Sequence, residues 1–536
     1  MKGKDLINTW GKRKKTGVYI AVCMFLIIMV TTTLSTTPSG MTVYVAGDGS
    51  GNFNCDGTDD QVEINKALAY IAENPEYTTV YLKGPNTYVI SESIFVGSDV
   101  ILQGDPTAVI KLKDKADWSW NQSLITQTDN AGISNITIKG FEIDGNHDGN
   151  AEKKRGAGYY NLIYFTSSKN IQVHDMYMHD SHGDGLKIEN SSNIQFYNNV
   201  VYKLGHDGLY GIQSQNIEAW NNTITCRTNS GLRVWNSNHV KFHDNTISSF
   251  YHWSAGGPGI QIQKSSAIMD DVEVYNNTIH NTYGPGIWLV AYGSYPVAEA
   301  QGVHIHHNTL YSTGTNPSID WVGGIVTSGF NNTLIENNVF DGTYHSAIVL
   351  MYPTGYSTDL SPKGTGYTTI VRNNIITNTE RRKSESSGTG FGVVNYLPET
   401  HSFVLENNCF YDNAAGEYRN ATSTSDIYAN PLFVNQKEND YHLRSAGGRW
   451  NGNTWVKDIR SSPCIDAGYP SSDYSQETED NGQRINIGRY GNTEEASRSG
   501  VMPGYIAWWN QIFSPEWRIF RILLRIFLLF CFKIHI

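Results

Sequence analysis

Between Asp184 and His280 the chain repeats itself. The lines DGLKIENSSNIQFYNNVVYKLG from Asp184, DGLYGIQSQNIEAWNNTITCRTN from Asp207, SGLRVWNSNHVKFHDNTISSF from Ser230 and PGIQIQKSSAIMDDVEVYNNTIH from Pro258 share one layout. Each opens on a turn residue and Gly, runs through two short alternating stretches parted by a polar turn, and closes on an Asn-rich pair. Asn199, Asn222 and Asn245 stand 23 residues apart, and the position recurs at Asn277, Asn308, Asn338, Asn374 and Asn408 with gaps of 30 to 36. A unit this short cannot bury an apolar face alone, so it must stack on its neighbours as a solenoid. Alternation with period two, rich in Ile, Val, Tyr and Thr, predicts strands rather than helices. The expected fold is therefore all-β, a right-handed parallel β-helix. An Asn repeated at one turn should bond its equivalents above and below, because a buried amide left unpaired costs ~1–3 kcal/mol. The wider gaps after Asn245 predict loops inserted at the turns.

Composition agrees with such a coil. Charged residues make up only 17% of the 536, whereas Gly (51) and Tyr (32) are abundant. A net charge of −11 argues against nucleic acid as a partner. Six scattered cysteines with no CxxC give neither a zinc motif nor a dense disulfide framework, although Cys409 and Cys464 could pair.

In chain order, Lys2, Lys4, Lys12, Arg13, Lys14 and Lys15 precede an apolar run over 18–30, the layout of a secretory signal peptide or an uncleaved anchor within 1–40. Sequons at Asn135, Asn276 and Asn331 suit a protein that is secreted or held at the cell surface. The segment 41–130 should form an N-terminal cap and the first coils. In it, GTDDQVEINKALAYIAEN predicts a capping helix, started by Thr58 or Asp59 and buried through Val62, Ile64, Ala67, Leu68 and Ile71. The coils should occupy 131–430, with a basic insertion from His147 and longer ones at 291–302, 313–321, 353–367 and 381–389. Tyr292, Tyr295, Trp321, Tyr352 and Tyr356 would line groove walls built from these. NPLFVNQKENDYHLRS, SSPCIDAG and RINIGRYG predict a C-terminal cap over 431–497, and 498–536 is an apolar, Arg-bearing tail that either meets a membrane or has no function.

The coils, the helix after GTDD and the NPLFVN…DYHL…SPCIDAG…RINIG ending resemble the pectin-lyase-like β-helix superfamily over about 42–492. The N-terminal cap and the KIENSSNIQFYNN type of coil are similar to the disaggregatase family of methanogenic archaea. That resemblance implies an exported enzyme that degrades a chondroitin-like matrix polysaccharide of uronic acid and N-acetylgalactosamine. It brings no short catalytic fingerprint, so the site is read from the residues.

With the coils aligned on the turn Gly, Leu186, Leu209, Leu232, Ile260 and Ile287 point inward. Lys187, Tyr210, Arg233, Gln261 and Trp288 then point outward, followed two positions on by Glu189, Trp235 and Gln263. Coils lie ~4.8 Å apart, so these side chains should share one wall suited to an acidic sugar polymer. His182, Asp184, His206 and Asp207 sit at its rim, and His252 and Trp253 precede the next coil. Taken singly, each has a plainer reading: Asp-Gly is usually a turn, and an outward Lys or Arg a solvated face. Their coincidence in adjacent coils makes the cluster a candidate active site. For β-elimination, Arg233 would neutralise the uronate carboxylate and Lys187, His206 or Tyr210 would be the base. For hydrolysis, Asp184 with Asp207, or Glu189 with Asp207, would flank the bond. His182, Glu189, Trp235, Gln261 and Trp288 would bind substrate. No pattern demands a cofactor, but Asp184 and Asp207 offer the oxygen ligands Ca²⁺ prefers. A non-catalytic glycan-binding surface protein is the third reading.

Overall fold

The structure is a computed structural model that describes residues 40–499, apart from 119–121, 152–158, 227–228, 250–256, 266–268, 292–301, 317–318, 320–321, 351–366, 382–388 and 400. The apolar leader, most of the apolar tail, His252, Trp253, Tyr292, Tyr295, Trp321, Tyr352 and Tyr356 lie outside the described residues. Among the described residues no helix is long and apolar enough to cross a membrane.

Three parallel sheets run the length of the coil, with 14, 13 and 12 strands. In each, a strand pairs with its equivalent one coil on, so the chain winds as a right-handed parallel β-helix. The register is the one expected from the turn glycines: Leu186 faces Leu209, which faces Leu232, then Ile260 and Ile287. All five are fully buried. One continuous apolar core fills the coil from Val43 to Phe410. Gly208 shows why the turn needs Gly: a Cβ there would sit 2.4 Å from the Gly231 carbonyl oxygen of the next coil.

The Asn column is a ladder. From Asn199 to Asn374, each Nδ2 donates to Oδ1 of the next Asn at 2.9–3.0 Å, and each backbone N–H donates to that same oxygen. The residue before it has a separate task. Asn198, Asn221, Asn276, Asn337, Asn373 and Asn407 all adopt φ near +50 to +57°, a left-handed turn that Asn tolerates well.

The helix Gln61–Glu73 packs against the first strands of the sheets, burying Ile64, Ala67, Leu68 and Ile71. Its N-cap is Asp60, not Thr58 or Asp59, and Val62 is exposed on the outer side. Asp60 makes no cap bond because its carboxylate is already taken by the N–H groups of Gly57 and Val89. The closing segment lies along the side of the coil rather than across its end. Phe433, Tyr441, Leu443, Cys464 and Ile487 cover Val339, Ile375 and Cys409 on the outer face of the second sheet. Gln436 and Tyr441 bond the Asp341 carboxylate, and Arg489 reaches Thr309. Tyr428, on the last strand of that sheet, stays 56% exposed. Cys409 and Cys464 meet in this cluster as free thiols.

Candidate active site

The third sheet carries the residues singled out above. Its outward column runs Tyr164, Lys187, Tyr210, Arg233, Gln261, Trp288, each the register partner of the next. Lys187, Tyr210 and Arg233 thus occupy three successive coils on one side. Tyr164 extends the column by one coil; aligning Ile163 with Leu186 would have found it.

The turns before these strands build the centre. Asp184 and Asp207 are buried, and each carboxylate accepts the backbone N–H one coil on: Asp207 N–H at 2.8 Å for Asp184, Ser230 N–H at 2.8 Å for Asp207. This is the ordinary turn role of Asp repeated by stacking. The spare oxygen lone pairs do more. His206 Nδ1 lies 2.7 Å from Asp184 Oδ1 and 3.1 Å from Asp207 Oδ2. Arg233 Nη1 donates to Asp207 Oδ2 at 3.3 Å, and Asn229 Nδ2 lies 3.4 Å from that oxygen and 3.1 Å from His206 Nε2. Asn229 was missed by sequence reasoning, although Asn229-Ser230-Gly231 aligns with His206-Asp207-Gly208. Arg233 also bonds Gln263 Oε1 through Nε and Nη2, and its guanidinium stacks 4.3 Å from the centre of the Tyr210 ring.

Electrostatics follow from these contacts. Burial disfavours the charged imidazole of His206, but the Asp207 and Asp184 carboxylates more than offset it and raise its pKa to about 9. Burial likewise pushes Asp207 up, and the charges of His206 and Arg233 reverse this and hold it below the usual range. The Tyr210 phenol is pushed well up by burial, with Arg233 opposing. Its ring is the one on which Arg233 rests. Lys187 does not stand free: Nζ is 2.9 Å from Glu189 Oε1 and lies over the Tyr164 ring, while the Tyr164 hydroxyl donates to Glu189 Oε2. The wall is therefore charge-compensated, Lys187 paired with Glu189 and Arg233 with Asp207.

Several expected substrate contacts are placed otherwise. His182 is buried, with its ring against His147 and Tyr160 and Nε2 on the Asn150 carbonyl. Trp288 is only 2% exposed, packed with Val290, Val322, Val326 and Val349 in an apolar cluster outside the coil. Gln261 is buried and accepts from the Ser230 hydroxyl. Glu189 and Trp235 remain half-buried at the surface, the indole N–H of Trp235 donating to Ser265. The Asp184, His206 and Asp207 ligand atoms lie within 4.8 Å of one another. That set does not fit Ca²⁺, which takes six to eight oxygens, since it mixes in an imidazole and its carboxylates already hold N–H groups and Arg233.

The family model for the right-handed β-helix region matches residues 73–247 and 161–340, together half of the chain. The model described as Disaggregatase related matches residues 269–468. No protein of curated function matches the sequence. Among solved structures, the mannuronan C-5 epimerase AlgE6 A-module of Azotobacter vinelandii is 16% identical, with 70% of this chain and 96% of that one covered at a TM-score of 0.53. The pre-mature gene product 12 of bacteriophage phi29 is 17% identical, with 77% of this chain and 57% of that one covered at a TM-score of 0.50. At such identities the likeness is one of fold. Coil, register and sequence thus agree that the chain belongs to the right-handed β-helix family, and its residues 269–468 are similar to the model described as Disaggregatase related.

Proposed function

We propose that this protein is an exported polysaccharide-acting enzyme that cleaves an acidic, uronate-containing polymer by β-elimination at His206, Asp207 and Arg233. One observation carries the reading: a solvent-reaching imidazole, 22% exposed, is held between two buried carboxylates beside a guanidinium. This joins a proton-transfer group to a carboxylate-binding group on adjacent coils. The basic start and apolar run at the N-terminus support export.

In the reaction, Arg233 pairs with the uronate carboxylate and stabilises the charge that gathers there as the neighbouring C–H bond breaks. Neutral His206 takes that proton on Nε2, while Asp184 accepts from Nδ1–H and fixes the tautomer. The electron pair forms the C4–C5 double bond, and the C4–O bond breaks. The departing oxygen is protonated by the imidazolium. Hydrolysis would need two carboxylates that reach substrate, ~5–5.5 Å or ~6.5–9.5 Å apart. Asp184 and Asp207 are nearly sealed from solvent, and Glu189 is held by Lys187 and Tyr164. These features favour elimination.

Incubation with a chondroitin-like polymer tests the reading. Shorter chains carrying an ultraviolet-absorbing unsaturated uronate are expected. Reducing ends without that chromophore would mean a hydrolase, and retention without cleavage a binding protein.

A further inference from the structure

A second group of chemistry-bearing side chains lies on the first sheet, away from the wall just described. Strand Val303–His306 projects His304 and His306 outward. Glu273 on the preceding coil is the register partner of His304, and Glu336 on the following coil that of His306. One ligand atom from each of Glu273, His304 and His306 lies within 4.8 Å of the others. Each carboxylate is steadied from its far side: Glu273 Oε2 lies 3.6 Å from Lys241 Nζ, and Glu336 Oε2 accepts from Arg372 Nε at 2.7 Å. Glu336 Oε1 meets His304 Nε2 at 2.9 Å.

With both imidazoles neutral, the hydrogen count does not close. His306 Nε2 faces Glu273 Oε1 at 3.0 Å, His306 Nδ1 faces His307 Nδ1 at 2.6 Å, and His307 Nε2 faces the Gly491 carbonyl at 2.8 Å. These three contacts need three protons. Two neutral imidazoles carry two, one N–H each. His307 needs its own on Nε2 for the carbonyl, and His306 then needs one on Nδ1 for His307. Its Nε2 lone pair is left facing a carboxylate lone pair. A second proton on His306, or a metal ion between the two atoms, removes the conflict.

We propose that Glu273, His304 and His306 form a binding site for a divalent metal of the zinc class. Two imidazoles and one carboxylate are the donors such borderline ions take, with a fourth position left to water. Tetrahedral bonds of ~2.0–2.2 Å set ligand atoms roughly 3.4 Å apart, close to the contact already present. His304 is 35% and Glu273 31% exposed, so the ion has access from solvent. His306 would then donate Nδ1–H to His307, the outer hydrogen bond that fixes a ligating imidazole. The metal would tie two coils of the disaggregatase-related region together, at the place where Gly491 of the closing segment docks.

The test uses the full chain freed of metal with chelator and titrated with Zn²⁺ or Co²⁺ alone. One equivalent should bind, Co²⁺ should give the intense visible absorption of a low-coordinate complex, and Zn²⁺ should raise the melting temperature. His304→Ala and Glu273→Gln should each weaken Zn²⁺ binding by about 100-fold or more, since loss of even an outer-shell partner weakens it by ~10–100-fold. Both side chains lie outside the apolar core, and Glu273→Gln keeps the shape should His304→Ala fold poorly. Cleavage at the third sheet should persist in both. Absence of uptake by the wild-type chain, or uptake unchanged in both variants but lost in His206→Gln, would overturn the proposal.

Discussion

The outer faces of the first and third sheets are built by the same stacking rule and differ in what is stacked. On the first sheet His174, Tyr197, Trp220, His243, Tyr275 and His306 form a pile of parallel rings, with centroids 4.3–6.0 Å apart and planes within 8°. Beside it, Gln172, Gln195, Glu218 and Lys241 line a groove of about 740 Å³. On the third sheet the column is Tyr164, Lys187, Tyr210, Arg233, Gln261. Like stacked on like satisfies itself: ring faces cover ring faces, and a sugar would meet only edges. Unlike stacked on unlike sets Arg233 over the Tyr210 ring and within reach of Asp207 in the turn before it. A β-helix keeps its structure in columns of repeated residues and its chemistry where a column changes residue type. The 740 Å³ groove lacks the buried carboxylates and the perturbed imidazole of the His206 cluster, on which the proposed function rests.

The largest expected effect separates the two faces outright. Arg233→Ala should lower kcat/KM for the uronate polymer by ~10²–10³, the loss typical of removing one preorganised group that meets developing charge. Circular dichroism should be unchanged, because the Arg233 side chain lies outside the coil core. Full activity in that variant would remove the third sheet from consideration.

Next comes a break in a column of like residues. Asn222→Ala strips the acceptor used by both the N–H and the Nδ2 of Asn199, and the donor to the Phe196 carbonyl and Asn245. Several buried polar groups lose partners at ~1–3 kcal/mol each, so the stability loss should be ~3 kcal/mol or more by denaturant titration. A loss below ~0.5 kcal/mol would mean that the ladder adds nothing beyond its neighbours.

The ladder was legible in the sequence because its signal is periodic, and so was the inward Leu column. Partnership and cover were not. Lys187 reads as a free cation until Glu189, two residues on and pointing the same way, is seen to hold it. Trp288 reads as an exposed plane because alternation gives the direction of a side chain and not what lies over it; Val322 and Val349, from later coils, bury it. The closing segment reads as an end-piece because it follows the last coil, yet its apolar residues match the outward Val339, Ile375 and Cys409 on the side. The use of one Asp both for a turn and for His206 also escapes a residue-by-residue reading, since the two roles occupy different oxygen lone pairs.

A smaller effect sharpens the electrostatic side of the comparison. The unfolded pKa of His206 is near 6.5 and the folded one about 9, so the native state binds the extra proton. The stabilisation is fully present below about pH 6.5 and is lost as pH rises through about 9. At ~1.4 kcal/mol per pKa unit, it amounts to ~3–4 kcal/mol. Wild type should therefore lose stability between pH 6.5 and 9 more steeply than His206→Gln. Activity should move the other way, kcat/KM rising about tenfold per pH unit toward pH 9 as neutral His206 accumulates. A flat stability profile across that window would show that Asp184 and Asp207 do not hold the proton.

The smallest expected effect falls on the aromatic pile, and its smallness is the point. Trp220→Ala removes one ring from between Tyr197 and His243, at a position where stacked pairs are worth ~0.5–1.5 kcal/mol beyond their area. A drop of a few degrees in melting temperature is expected, with kcat/KM for the polymer within about twofold of wild type, because the proposed reacting groups lie on another sheet and small losses at distant sites add independently. If instead Trp220→Ala abolished polymer binding while Arg233→Ala left cleavage intact, the roles of the two faces would be exchanged. The rule that columns of like residues are structural would then fail for this coil, and the groove beside Glu218 and Lys241 would become the place to look for substrate.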